Sequence, residues 1–284
     1  MNEADFINAL RQMPLHPGAR GLQDDCAILE IGSETLILTH DGMAQGTHWS
    51  PDADPYNIAW KLVATNLSDL AAKGAELVGV LLGHSLGDND QRFLEGMQAV
   101  LTRYDVPLLG GDTIKAKGPR TLGLTAIGRA THTPVPSRSG AQIGDALYVT
   151  GTLGCAMLGF EGNAQHEAAF NRPTPRLAEG LSLVSHVTAM MDVSDGLLLD
   201  AFRMAEASEV TLAVKSALVP VATAERRDDC MRWGDDYELL FTAPAEYQPP
   251  IPCAHIGTVE SKGFAPLQLD GNPVVNSNGL GYRH

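Results

Sequence analysis

The chain has 284 residues and 44% hydrophobic content, enough to bury the core of one large domain or two ordinary ones. Its formal net charge of −14 argues against a nucleic-acid partner, because phosphate backbones call for a basic face. No apolar run has the length of a membrane span, and Met1-Asn2-Glu3-Ala4-Asp5 lacks the basic and apolar regions of a signal peptide. Cys26, Cys155, Cys230 and Cys253 are scattered with no Cys-x-x-Cys pair, which speaks against zinc or a disulfide framework. A soluble cytoplasmic protein with no membrane partner is expected.

In chain order, residues 34–39 read as a strand running into Asp41. Pro55 to Ala75 reads as a helix: Pro55 suits a first turn, Ala59, Leu62, Val63, Leu67, Leu70 and Ala71 recur at helical spacing, and Gly74 can end it. Asn66, Asp69 and Lys73 form one polar stripe on it. Leu77 to Leu82 is predicted as a strand, Asp90 to Tyr104 as a helix, Val106 to Leu109 as a buried strand ending in Gly110-Gly111-Asp112, and Thr121 to Arg129 as a strand. The segment Thr131 to Ser137 has two prolines and no periodicity, so a domain boundary is placed there, giving domains 1–133 and 134–284. The second half repeats the alternation. Strands are predicted at Asp145–Thr150, Ala189–Val193, Glu238–Thr242 and Ala254–Val259, and helices at Pro175–His186 and Asp195–Ala207. Two α/β domains are the expected organisation.

Aspartates interrupt these apolar segments at their ends, in Gln23-Asp24-Asp25-Cys26-Ala27, Leu38-Thr39-His40-Asp41-Gly42, Asn66-Leu67-Ser68-Asp69, Gly110-Gly111-Asp112-Thr113 and Met191-Asp192-Val193-Ser194-Asp195-Gly196. A carboxylate beside a buried strand is costly unless a cation compensates it. Five such places suggest a site crowded with hard oxygen ligands, which suit Mg²⁺. A nucleotide could then approach so acidic a chain once metal ions had neutralised the carboxylates. Glycines at Gly110-Gly111 free backbone amides to approach an anion, although this pattern alone is more often a turn. In Asp192 to Gly196, Asp195 or Ser194 could cap the following helix, and capping explains one of the three polar residues. No Gly-x-x-x-x-Gly-Lys-Ser/Thr, protein-kinase motif set or serine-histidine-acid arrangement occurs. What remains is phosphoryl chemistry by positioning and metal clamping, with no covalent protein intermediate.

In order, these motifs resemble thiamine-monophosphate kinase, in the superfamily of aminoimidazole ribonucleotide synthetase and selenophosphate synthetase. The matching pieces are Gly21 to Ala27, Asp41 to His48, Asn66 to Ala72, Gly110 to Thr113, Arg138-Ser139-Gly140, Gly144-Asp145, Asp192 to Gly196, and Gly234-Asp235-Asp236-Tyr237-Glu238-Leu239. The resemblance implies an α/β (α+β) fold of two aminoimidazole-ribonucleotide-synthetase-like domains, mixed sheets flanked by helices, and a homodimer. It implies transfer of the γ-phosphoryl of ATP, as co-substrate, to thiamine monophosphate, with several Mg²⁺ ions. By motif position, Asp24, Thr39, His40, Asp41, Asp69, Asp112, Asp192 and Asp195 would bind metal. Tyr104, Gly111, Asp112, Arg138 and Ser194 would contact ATP, and His48, Asp235 and Tyr282 the thiamine phosphate. The acceptor oxygen is already ionised at neutral pH, so no general base is assigned.

Four positions depart from the family pattern. Gln23 stands for a glycine, His40 for a threonine that leaves only a carbonyl to bind metal, Trp233 for a glycine, and Asp235 for a glutamate. Asp235 keeps the charge but reaches roughly 1.5 Å less. His48 has a second reading as a turn residue, and Tyr104 as the last core residue of its helix. Two rivals are a superfamily relative acting on another acceptor and a non-catalytic nucleotide-binding regulatory protein. A selenide enzyme would carry a reactive cysteine near the N-terminus, where Cys26 reads as a small core residue.

Overall fold

The computed structural model describes residues 3–283. In chain order the first half carries α1 (Glu3–Leu10), β1 (Ala27–Ile31), β2 (Glu34–Ala44), α2 (Pro55–Ala71), β3 (Ala75–Ser85), α3 (Asp90–Tyr104), β4 (Leu108–Ile114) and β5 (Thr121–Ala130). The second half carries β6 (Ala146–Thr150), α4 (Cys155–Phe160), α5 (Glu167–Asn171), α6 (Leu177–Leu183), β7 (Ala189–Asp192), α7 (Leu197–Ser208), β8 (Thr211–Val214), α8 (Arg227–Arg232), β9 (Leu239–Ala243), β10 (Cys253–Glu260), β11 (Leu267–Leu269) and β12 (Asn272–Val274).

Two mixed sheets result. The first has the order β1-β2-β5-β3-β4, antiparallel except for the β3–β4 pair. The second runs β12-β11-β8-β10-β6-β9-β7, with β8 and β11 parallel. Helices flank both sheets, as expected from the sequence. Among the described residues, no helix is long and apolar enough to cross a membrane.

Helix α2 joins the two halves. Asp54 caps it, its carboxylate accepting the Tyr56 N–H at 3.0 Å, and Pro55 occupies the first turn where no intrahelical donor is needed. From Ile58 to Ala71 every residue but Trp60 is buried. One side packs with β2 and β5 residues in the first core, while Ala71 and Ala72 enter a core formed by Ala146, Tyr148, Leu183 and Phe241 of the second half. At Gly180 of α6 an added Cβ would stand 1.9 Å from the Ala71 carbonyl oxygen, so glycine is what lets α6 touch α2. The polar stripe of α2 therefore faces a protein-lined seam between the sheets.

Candidate active site between the two sheets

Strand alternation sorts the residues around Asp41. Ile37, Thr39 and Met43 are buried, and His40 points the other way, its Nδ1 2.9 Å from Thr125 Oγ1. The His40 side chain thus lies on the outer face and cannot be a ligand of a site formed with α2. The Asp41 N–H donates to Asn66 Oδ1 at 3.0 Å, which locks β2 to the stripe of α2.

Carboxylate oxygens of Asp25, Asp69 and Asp192 all lie within 4.8 Å of one another. Thr39 Oγ1 donates to Asp69 at 2.5 Å and Ser68 Oγ to Asp192 at 2.6 Å. Of the adjacent pair in the first motif it is Asp25, not Asp24, that joins this group. Both Asp24 oxygens are already engaged, one by Arg20 at 2.5 Å and the other by Lys73 Nζ at 2.6 Å. Asp25 also pairs with Lys73, at 2.9 Å, and with Arg138.

Burial pushes the Asp69 carboxyl well above the usual range, helped by the charges of Asp41, Asp192 and Asp25. Burial, followed by the charge of Asp25, pushes Asp192 up to about 8. Burial acts on Asp25 in the same direction, but Arg138 and Lys73 outweigh it and hold that carboxyl well below the usual range. Asp69 and Asp192 are thus buried acids that oppose each other's ionisation, with hydroxyl donors and, among the described residues, no cationic side chain paired with either. Their clustered oxygen donors, which ionise favourably only with a cation beside them, fit a hard divalent cation.

The remaining motifs arrive from the second sheet and the tail. The Ser194 carbonyl accepts the Asp235 N–H at 2.8 Å, and the Asp195 carbonyl accepts the Tyr282 N–H at 2.9 Å. Asp235 and Tyr282 therefore flank the same turn. Neither Ser194 nor Asp195 caps α7 with its side chain. Asp200 instead reaches back to the Asp195 N–H at 3.1 Å, and Arg203 bridges Asp195 and Asp200 at 2.5 and 3.1 Å. Asp235, at φ +57°, accepts Lys61 Nζ at 2.7 Å and the Tyr237 hydroxyl at 2.9 Å. Trp233 packs on Phe160 at 5.1 Å, and Lys61 Nζ lies 3.9 Å over the Phe170 ring.

Other expected residues lie elsewhere. Asp112 sits on the exposed edge strand β4, three strands across from β2, in register with Gly83, Gly123 and Gly42. At Gly111, φ is +150° and an added Cβ would meet the Leu82 carbonyl oxygen at 1.9 Å, so only glycine fits. Tyr104 ends α3 with its ring 6.2 Å from Trp60 in an edge contact, and burial pushes its hydroxyl up. His48 Nδ1 accepts the Ala44 N–H at 3.0 Å and so closes the turn after β2. The sequence motifs single out neither Lys61 nor Arg203, and they include Asp25 and Lys73 without giving either a role. For Lys73 a signal existed, its place on the Asn66-Asp69 stripe.

The family described as AIR synthase related protein matches with its N-terminal domain at residues 23–130 and its C-terminal domain at 142–264. Thiamine-monophosphate kinase of Escherichia coli (strain K12) is 34% identical over 303 residues, covering 93% of this chain and 91% of that protein. The chain belongs to the thiamine-monophosphate kinase family. Among solved members of that family, one from Stenotrophomonas maltophilia K279a is 33% identical with a TM-score of 0.78, covering 95% of this chain and 96% of the other. The structure of AaThiL complexed with AMPPCP and TMP is 26% identical with a TM-score of 0.87, covering 100% of this chain and 97% of that one.

Proposed function

We propose that this chain is an ATP-dependent kinase that phosphorylates thiamine monophosphate to thiamine diphosphate by direct in-line transfer, with Mg²⁺ held in the seam between the sheets. The single observation that carries the metal reading is the gathering of carboxylate oxygens from Asp25, Asp69 and Asp192 within 4.8 Å of one another. Family membership and the likeness to a structure complexed with an ATP analogue and TMP support the substrates.

Donor and acceptor are both anionic, so their repulsion is a large part of the barrier; Mg²⁺ held by these carboxylates would supply the charge that neutralises the phosphates. The protein's own part is to place groups. Asp69 and Asp192, with Thr39 and Asp41 beside them, are assigned to the metal, and Asp112 and Asp195 to further ions as nucleotide binds. Arg138, Ser194, Gly111 and Tyr104 are assigned to ATP. Asp235, Tyr282 and His48 are assigned to the acceptor, Asp235 being steered by Lys61 and Tyr237. No residue needs to remove a proton from the acceptor.

The boundary between domains 1–133 and 134–284 belongs to this reading too, as does a homodimer. Leu108, Leu109 and Ile114 of β4, each 51% exposed, offer an apolar face for the second copy. The four cysteines are free, which fits a reducing compartment, and we place the enzyme in the cytoplasm. The test is an acceptor panel of thiamine monophosphate, thiamine and no acceptor, each with ATP and Mg²⁺. Thiamine diphosphate from the first alone is expected; ATP turnover on a different acceptor in its place refutes the reading.

A further inference from the structure

Lys73 is fully buried, and its ammonium has three oxygen partners: Asp24 Oδ1 at 2.6 Å, Asp25 Oδ2 at 2.9 Å and the Met190 carbonyl at 3.3 Å. All three N–H donors are thereby used. Two carboxylates and a carbonyl are also a donor set that a hard divalent ion takes. The partners come from both sheets, since Asp24 and Asp25 precede β1 and Met190 lies in β7.

The charge around this point is unevenly distributed. Asp24 and Asp25 share three protein cations, Arg20, Lys73 and Arg138. Asp69 and Asp192 receive hydroxyls, from Thr39 and Ser68. One side of the acidic seam is therefore closed by a tethered cation, while the other is left for a soluble one. We propose that the Lys73 ammonium takes the place of one divalent cation, so that this chain holds one metal ion fewer than the same site would hold without the lysine. Lys73 is a positioning residue: it fixes Asp25 and confines the divalent ion to the Asp69–Asp192 side. A second cation at the Asp24–Asp25 position would face the ammonium at close range in a buried, low-dielectric setting. This inference rests on the reading of the carboxylates as a Mg²⁺ site.

The test counts ions. Mn²⁺ is titrated into the full chain with AMPPCP present and followed by electron paramagnetic resonance, for wild type and Lys73→Met. The variant is expected to bind one additional Mn²⁺ per chain, and to melt lower than wild type without metal but recover at saturating Mg²⁺. Equal stoichiometry in a folded variant overturns the inference and leaves the metal reading standing. A wild type that binds no Mn²⁺ sinks the metal reading and the inference with it. If Lys73→Met does not fold even in Mg²⁺, nitrogen-15 spectra of the wild-type lysine ammonium groups decide. The Lys73 signal should persist, slow to exchange, through Mg²⁺ saturation, and its disappearance on adding metal contradicts the proposal.

Discussion

Lys61 Nζ lies 2.7 Å from Asp235 Oδ2, joining the central helix of the first half to the loop before β9 in the second. The lysine side chain is 7% exposed and the aspartate 30%, so the pair sits at the mouth of the seam. The Asp235 carboxylate, one methylene shorter than the glutamate expected there from the family resemblance, is held in place by this ammonium and by the Tyr237 hydroxyl.

Asp235→Glu is expected to lower KM for thiamine monophosphate with little change in KM for ATP. Asp235→Asn should raise the former, and should cost about 1–2 kcal/mol of stability because it leaves a mostly buried ammonium without its counter-charge. Steady-state kinetics with each substrate varied, and thermal melts, check both. A rise in KM on restoring glutamate would mean that the site is rebuilt around the shorter side chain.

Asp69→Asn and Asp192→Asn should move activity and stability in opposite directions. Turnover is expected to fall at least about 10²-fold through loss of a metal ligand. The metal-free variants should melt higher than wild type near neutral pH, since an amide spares the fold the cost of taking a carboxyl that is ionised in the unfolded chain into a buried acidic cluster. Asp112→Asn should lose turnover by a similar factor with an unchanged metal-free melt, because Asp112 is exposed on the edge strand. Wild-type turnover in any of them removes that residue from the metal set.

A pH effect on stability is expected from Asp236. Its Oδ1 accepts the Gly154 N–H at 2.8 Å, Oδ2 is buried with no hydrogen-bond partner among the described residues, and burial pushes the carboxyl well up from 3.8. The unfolded chain releases this proton near pH 4 while the folded chain keeps it, so folding stability drops as pH rises above that value. Asp236→Asn should remove this part of the slope. Denaturant melts at pH 5 and pH 8 should show wild type losing more stability than the variant over the interval. Parallel losses would show that Asp236 ionises normally in the fold.

Gly180→Ala tests the apposition of α6 and α2. A methyl 1.9 Å from the Ala71 carbonyl oxygen must push backbone apart, at an expected cost of about 1–3 kcal/mol. An unchanged melting temperature would mean that the two helices separate freely.

Legibility in the sequence followed element length and periodicity. Helix α3 is read at both ends, Asp90 and Tyr104, because its apolar face recurs over four turns. The short elements between Cys155 and Arg232, α4, α5, β8 and α8, span four to six residues each, too few for a period to show. The aspartate motifs were legible as a group, but the choice within Asp24-Asp25 was not. Both stand in a loop, and which one faces α2 depends on where Arg20 and Lys73 reach, which local pattern does not contain. Lys73 itself read as a polar stripe on a helix surface, because nothing local signals that the second sheet covers it. His40 and Thr39 show the converse: strand alternation alone puts their side chains on opposite faces, and the structure keeps that order.

The most direct measurement follows phosphorus-31 resonances as the protein acts on ATP and thiamine monophosphate in Mg²⁺. The proposed kinase reaction predicts thiamine diphosphate and ADP rising in equal amounts, and both stopping when a chelator removes the metal. ADP appearing with inorganic phosphate and no thiamine diphosphate, or transfer undiminished by the chelator, would contradict it.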